Sequence, residues 1–198
     1  MYEVKITNQY GCKDTASVYA TIFGFPPTVT GRLEYCQYIG PLDTLAVTHT
    51  TPTGVAVWYT VPTGGVGVPG PLFPNLNVAG TYNFYISTLD SGCESPRTPF
   101  TVTVHPKPAP PVPTWDRYCQ FWPSHIVSAA TSTVGGYLTW YGPYDTSILI
   151  TGIPYPQTDT AKIDSYFVTE TTVHGCVSNM ALDTIHIIPK PEPPVTSD

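Results

Sequence analysis

The chain has 198 residues, a formal net charge of −6, a pI near 5.2 and only 11% charged residues. That balance excludes the basic stripe that nucleic-acid binding needs, and no apolar stretch is long enough for a membrane span. Thirty Thr, 14 Tyr and 23 Pro make a β-rich vocabulary, and no window sustains a 3.6-residue apolar period, so almost no helix is expected.

Along the chain, strand-like runs alternate with Gly, Pro, Asp and Thr clusters. The opening run Tyr2 to Ile22 reads as a closing hairpin, with Gly11-Cys12 at its turn, and the short linker Pro26-Pro27 follows. Met1 leads directly into this run without a leader peptide, so the chain reads as cut from something longer. Strands are predicted over Leu45 to Thr48, Val55 to Tyr59, Tyr82 to Ser87 and Phe100 to Val104. Later strands are predicted over Tyr137 to Tyr141 and Tyr166 to Thr171.

These runs repeat. Tyr35-Cys36-Gln37, Trp58-Tyr59 and Gly92-Cys93 recur as Tyr118-Cys119-Gln120, Trp140-Tyr141 and Gly175-Cys176. The linkers share a frame too, Pro106-Lys107-Pro108 and Pro189-Lys190-Pro191. The expected organisation is a hairpin of a preceding module (1–25), module 1 (26–107), module 2 (108–190) and the start of a linker (191–198). Several short strands in each module predict an all-β fold of tandem immunoglobulin-like antiparallel sandwiches.

No C-x-x-C spacing suggests a metal site, and the histidines fall at unrelated positions in the two modules, which leaves a catalytic thiol without a base. The expected reading is one disulfide within each module, Cys36 with Cys93 and Cys119 with Cys176. Closing such a loop is worth about 4 kcal/mol in the chain-entropy picture, and disulfides imply an extracytoplasmic location. Each bridge is expected at one end of its sandwich, tying the start of strand B to the last hairpin. Trp58 and Trp140 read as core residues. Cys12 lacks a partner, either through truncation or because another chain supplies the missing strands.

Tyr35-Cys36-Gln37, Trp58-Tyr59, the turn Thr63-Gly64-Gly65, the Tyr-rich strand Tyr82 to Tyr85 and Gly92-Cys93-Glu94-Ser95-Pro96-Arg97 together resemble a known repeat. It is the Ig-like repeat of very large Bacteroidota surface proteins; Tyr2 to Ile22 resembles the closing hairpin of their PKD-like repeats. Module 2 departs from it at Val177-Ser178-Asn179 and lacks the Gly-Gly turn after Trp140-Tyr141. The resemblance implies type IX secretion, surface display, and roles as adhesins, gliding-motility adhesins or stalks.

No Ser-His-Asp or paired-carboxylate constellation supports an enzyme, and neither a cofactor nor a metal is expected. The expected function is a structural or adhesive segment of a cell-surface repeat protein. Its partners would be neighbouring modules and surface polysaccharide or other cells. A carbohydrate-binding module is the alternative, with Trp115 and Trp122 as ligand contacts. A fibre subunit that exchanges strands through 2–22 is a further alternative. Finally, Asp-Thr-small/aliphatic triplets resemble the O-glycosylation acceptor of Bacteroidota, which makes Thr15, Thr44, Thr160 and Thr184 candidate acceptors; the same triplets also suit turns.

Overall fold

The computed structural model describes residues 2–18, 25–38, 45–48, 53–114 and 116–194, and no helix occurs among them. Two compact units divide the chain. Unit 1 takes in Met1–Leu33, Pro41–Pro74 and Thr81–Val102. Unit 2 takes in Glu34–Gly40, Asn75–Gly80 and Thr103–Asp198. Short pieces of the first sequence repeat therefore group with the second.

The strands of the first part are β1 (Tyr2–Thr7), β2 (Lys13–Val18), β3 (Thr28–Thr30), β4 (Glu34–Cys36), β5 (Ala46–Thr48), β6 (Val55–Tyr59) and β7 (Val68–Pro69). They continue with β8 (Gly80–Asp90), β9 (Cys93–Glu94), β10 (Thr98–His105), β11 (Val112–Pro113) and β12 (Arg117–Cys119). The last are β13 (Ala129–Ala130), β14 (Tyr137–Tyr141), β15 (Lys162–Thr171) and β16 (Ala181–Ile188).

One pairing scheme serves both repeats. A small antiparallel pair, β3 with β5 or β11 with β13, accompanies a larger sheet. The larger sheets run β4-β10-β8-β6-β7 and β12-β16-β15-β14. In each, a short strand carrying Tyr-Cys lies parallel to the end of the last strand: β4 beside Thr103–His105, and β12 beside His186–Ile188.

The core follows from the two-residue strand period, which sends alternate side chains inward. In unit 1, Phe84 and Ile86 of β8 and Phe100 and Val102 of β10 are buried with Trp58 of β6. Phe100 meets Trp58 edge-on and stacks on Phe84, both at 5.5 Å between centroids. Unit 2 builds the same layer from Trp140, Tyr166, Val168 and Ile185, with Val127 closing it. Both tryptophans are 2% exposed, so both are core residues.

The hairpin of β1 and β2 pairs from Tyr2↔Val18 to Thr7↔Lys13. Its turn is closed by Asn8, whose Oδ1 accepts from the Tyr10 and Cys12 amides, and by Gly11 at φ 82°. Described side chains on both strands are exposed.

Candidate functional site: the Cys36–Cys176 staple

Cys36 is bonded to Cys176, with the two Cα atoms 5.4 Å apart. Both cysteines belong to unit 2 and are nearly fully buried, at 3% and 0% exposed. Cys12, Cys93 and Cys119 are exposed free thiols. The expected bonds Cys36–Cys93 and Cys119–Cys176 are therefore corrected.

Strand direction explains the correction. Cys119 pairs with Ile188, the last residue of β16, whereas Cys176 lies in the turn ahead of Ala181, the first. A strand of eight residues spans about 25 Å, and a disulfide tolerates a Cα separation of only about 7 Å. The first repeat has the same order along β10: Cys36 pairs with His105 at its end, and Cys93 precedes Thr98 at its start. Each module thus has one cysteine at its leading end, in the last hairpin, and one at its trailing end, beside the linker.

The trailing end is built around the Gln of Tyr-Cys-Gln. The Gln37 amide donates to His105 O at 2.8 Å, and its Nε2 donates to Asn77 O at 2.7 Å. Its Oε1 accepts the Lys107 amide of the linker at 3.4 Å. Gln120 repeats all three contacts, with Ile188 O (2.8 Å), Asp159 O (2.9 Å) and the Lys190 amide (3.5 Å). The next residues, Tyr38 and Phe121, turn at φ 61° and 66° and donate to Leu76 O and Thr158 O.

At the leading end, the Ser178 amide donates to Glu170 O and the Glu170 amide donates back to Ser178 Oγ. Ser95 and Thr88 repeat that exchange beside Cys93. The turn itself is shared with the first hairpin: the Thr172 amide donates to Cys176 O, and the Asn8 amide donates to Cys12 O.

Around the staple, the rings of His105 and His174 stack at 3.8 Å and 10°. His105 Nε2 lies 3.5 Å from Glu34 Oε2, and Lys107 Nζ donates to Asn179 Oδ1 at 2.6 Å. Glu34, His105 and His174 each offer one ligand atom within 4.8 Å of the others. Two imidazoles and a carboxylate are a zinc donor set. The stacking does not suit it, because lone pairs lying in parallel ring planes do not converge on one point. A separate open, mostly apolar groove of about 650 Å³ lies on unit 2, lined by Ile126, Tyr137, Leu138, Trp140 and Ile153.

The two repeats differ in their polar interiors. In unit 1, Glu94 accepts from Tyr59 and Ser87, and Arg97 lies 3.3 Å over the Tyr59 ring while donating to Val61 O. Those bonds hold the Glu94 carboxyl below its ordinary value, Ser87 contributing most. Val177 and Met180 stand at the corresponding places in module 2, which instead buries Glu170. Burial pushes the Glu170 carboxyl up, but bonds from the amides and hydroxyls of Thr133 and Ser132 outweigh it and hold the group below its usual range.

Asp183 takes the place that Phe100 has in module 1. It is 1% exposed, and neither carboxylate oxygen meets a hydrogen-bond partner among the described residues. Burial first, and then the nearby Asp116 charge, raise it to about 6. Tyr144 donates to buried Asp164 of β15, and that bond, with burial and the Asp164 charge, lifts the phenol to about 12.

The remaining candidates are dispersed. Trp122 is 64% exposed; Trp115 and Thr44 lie outside the described residues. Thr15 and Thr160 are exposed, and Thr184 is half-buried on β16 beside Asp183. The Thr15 amide donates to Asp14 Oδ1, but both residues lie within β2, and Asp183-Thr184 lies within β16, so neither triplet sits in a turn.

Residues 25–106 match the family model described as the Ig-like domain CHU_C associated. That stretch is similar to the Ig-like domain of this family. No curated protein matches the chain. Among solved structures the chain is similar to the fibronectin(III)-like modules of Clostridium thermocellum CbhA, at 14% identity and a TM-score of 0.38, covering 82% of this chain and 94% of that one. It is also similar to domains A168-A170 of titin, at 12% identity and a TM-score of 0.40, covering 95% and 74%. A further match is murine CEACAM1b, at 14% identity and a TM-score of 0.32, covering 83% and 100%.

Proposed function

We propose that the chain is a structural and adhesive segment of a long, surface-displayed array of Ig-like modules, serving as an adhesin or filament stalk. The observation that carries this reading is the pair of trailing ends, around Cys36 and Cys119, built with the same hydrogen bonds in successive repeats. Pro-rich linkers of one frame, braced by Gln37 and Gln120, give a string of modules semi-rigid joints. Such a chain works by spacing and contact rather than by turnover. Gliding motility, and glycosylation at Thr15, Thr44, Thr160 and Thr184, are finer forms of the same proposal. The test is antibody labelling of intact cells of the source organism. Labelling that protease shaving removes supports display, and labelling only after lysis contradicts it.

Exposed Trp122, beside exposed Phe121, supports a second reading as a carbohydrate-binding module. Glycan-array binding by the wild-type chain that is lost in Trp122→Ala would favour it. No binding by either chain would leave the stalk reading standing alone.

A further inference from the structure

The staple joins the trailing-end cysteine of one sequence repeat to the leading-end cysteine of the next. Cys119 is the repeat-equivalent of Cys36, and Cys93 is the equivalent of Cys176. We infer that Cys36–Cys176 is one rung of a disulfide relay running through tandem modules. In the relay, the trailing-end cysteine of each module bonds the leading-end cysteine of the module after it. Cys119 is then the attachment site for a module of the same type following the 189–194 linker. Cys93 is the site for the trailing-end cysteine of a module placed before module 1. Cys12, in a turn built like that of Cys176, is the leading-end cysteine of its own module.

Three observations carry this. The first is direction: within a module the two cysteines lie at opposite ends of the last strand, so a within-module bond is geometrically excluded, while a bond to the neighbouring module suits both ends. The second is preformation. Around Cys119, the bonds of Gln120 to Ile188 O, Asp159 O and the Lys190 amide, and of the Phe121 amide to Thr158 O, reproduce those around bonded Cys36. The linker residue whose amide Gln120 holds is Lys190, as Lys107 is for Gln37. The third is burial: bonded Cys36 and Cys176 are nearly inaccessible, whereas their unbonded equivalents Cys119 and Cys93 are exposed. The pattern gives all five cysteines one rule.

Each rung forms by thiol–disulfide exchange with a disulfide oxidant, RSSR, such as oxidised glutathione or a disulfide-donating oxidoreductase. The thiolate of one cysteine attacks RSSR and releases one RSH after proton uptake. The second cysteine then attacks the mixed disulfide and releases the other. Two Cys–SH and one RSSR become one Cys–S–S–Cys and two RSH.

The inference rests on the tandem-array part of the proposed function and not on where the array is displayed, so cell labelling and rung mapping fail independently. The test extends the full chain: residues 1–195 followed by a second copy of residues 113–198 that carries Cys119→Ser, so that Cys119 is unique, and exposed Ile163→Val as a mass tag on its Cys176 peptide, refolded with reduced and oxidised glutathione, alkylated and peptide-mapped without reduction. The expected product is Cys119 bonded to the Cys176 of the appended copy, with Cys119 alkylation falling at least tenfold relative to the unextended chain. A Cys176→Ser change in the appended copy restores full Cys119 alkylation. The Cys36–Cys176 peptide in the same digest reports that folding and oxidation succeeded. With that peptide present, Cys119 that stays alkylated, or that bonds Cys176 of its own module, overturns the relay.

Discussion

Cys36 and Cys176 are bonded across 140 residues of sequence, yet both lie inside unit 2. The segment Glu34–Gly40 is held to that unit by this bond and by the pairing of β4 with the end of β10. In the chain-entropy picture a loop of this length contributes up to about 5 kcal/mol. Cys176→Ser is therefore expected to lower the chemical-denaturation midpoint substantially, with a loss of several kcal/mol. Cys93→Ser removes an exposed thiol and is expected to change stability by less than about 0.5 kcal/mol. Equal effects of the two changes would contradict the pairing.

Asp183 gives the protein a destabilising carboxylate. Its folded pKa of about 6 lies above the ordinary 3.8. Between those values the folded chain retains a proton that the unfolded chain has released, so stability falls as pH rises, by about 3 kcal/mol in total. Urea denaturation from pH 3.5 to 7 is expected to show this fall, and Asp183→Asn to remove it. An unchanged slope in the variant would assign the fall to another group.

Glu170 works in the opposite sense. Its carboxyl is held below the usual range, so its contribution is present above about pH 4.5 and fades as the pH falls through the lowered folded value. Glu170→Ala leaves the polar groups of Ser132 and Thr133 without their carboxylate. The expected cost is about 2–4 kcal/mol at pH 7, shrinking at pH 3. A cost independent of pH would mean that side-chain volume, not charge, matters there.

In unit 1 Trp58 is buried in an aromatic layer with Phe84 and Phe100. Trp58→Ala removes a side chain that packs edge-on against Phe100. It is expected to cost about 3–5 kcal/mol in equilibrium denaturation, and a loss below about 1 kcal/mol would place Trp58 outside the core.

Much of the fold was legible in the sequence because strand periodicity and repetition are local signals. Val55 to Tyr59 and Tyr137 to Tyr141 are strands at the predicted limits, and Trp58 and Trp140 are core in both units. The cysteine pairing was not legible, because spacing within a module says nothing about which end of a strand each cysteine occupies. The parallel pairing of β4 with β10 and of β12 with β16 decides that, and it is a tertiary fact. A signal was nonetheless present: Tyr-Cys-Gln and Pro-Lys-Pro recur together because Gln37 and Gln120 bond linker amides. Glu170 and Asp183 were missed for a similar reason, since the partners Ser132, Thr133 and Asp116 are distant in sequence.

The bond between Cys36 and Cys176 is the central claim, and peptide mapping tests it most directly. The oxidised chain is alkylated under denaturing conditions, digested without reduction and analysed by mass spectrometry. One cross-linked peptide pair containing Cys36 and Cys176 is expected, with Cys12, Cys93 and Cys119 alkylated. Cross-linked pairs of Cys36 with Cys93 and of Cys119 with Cys176 would contradict it.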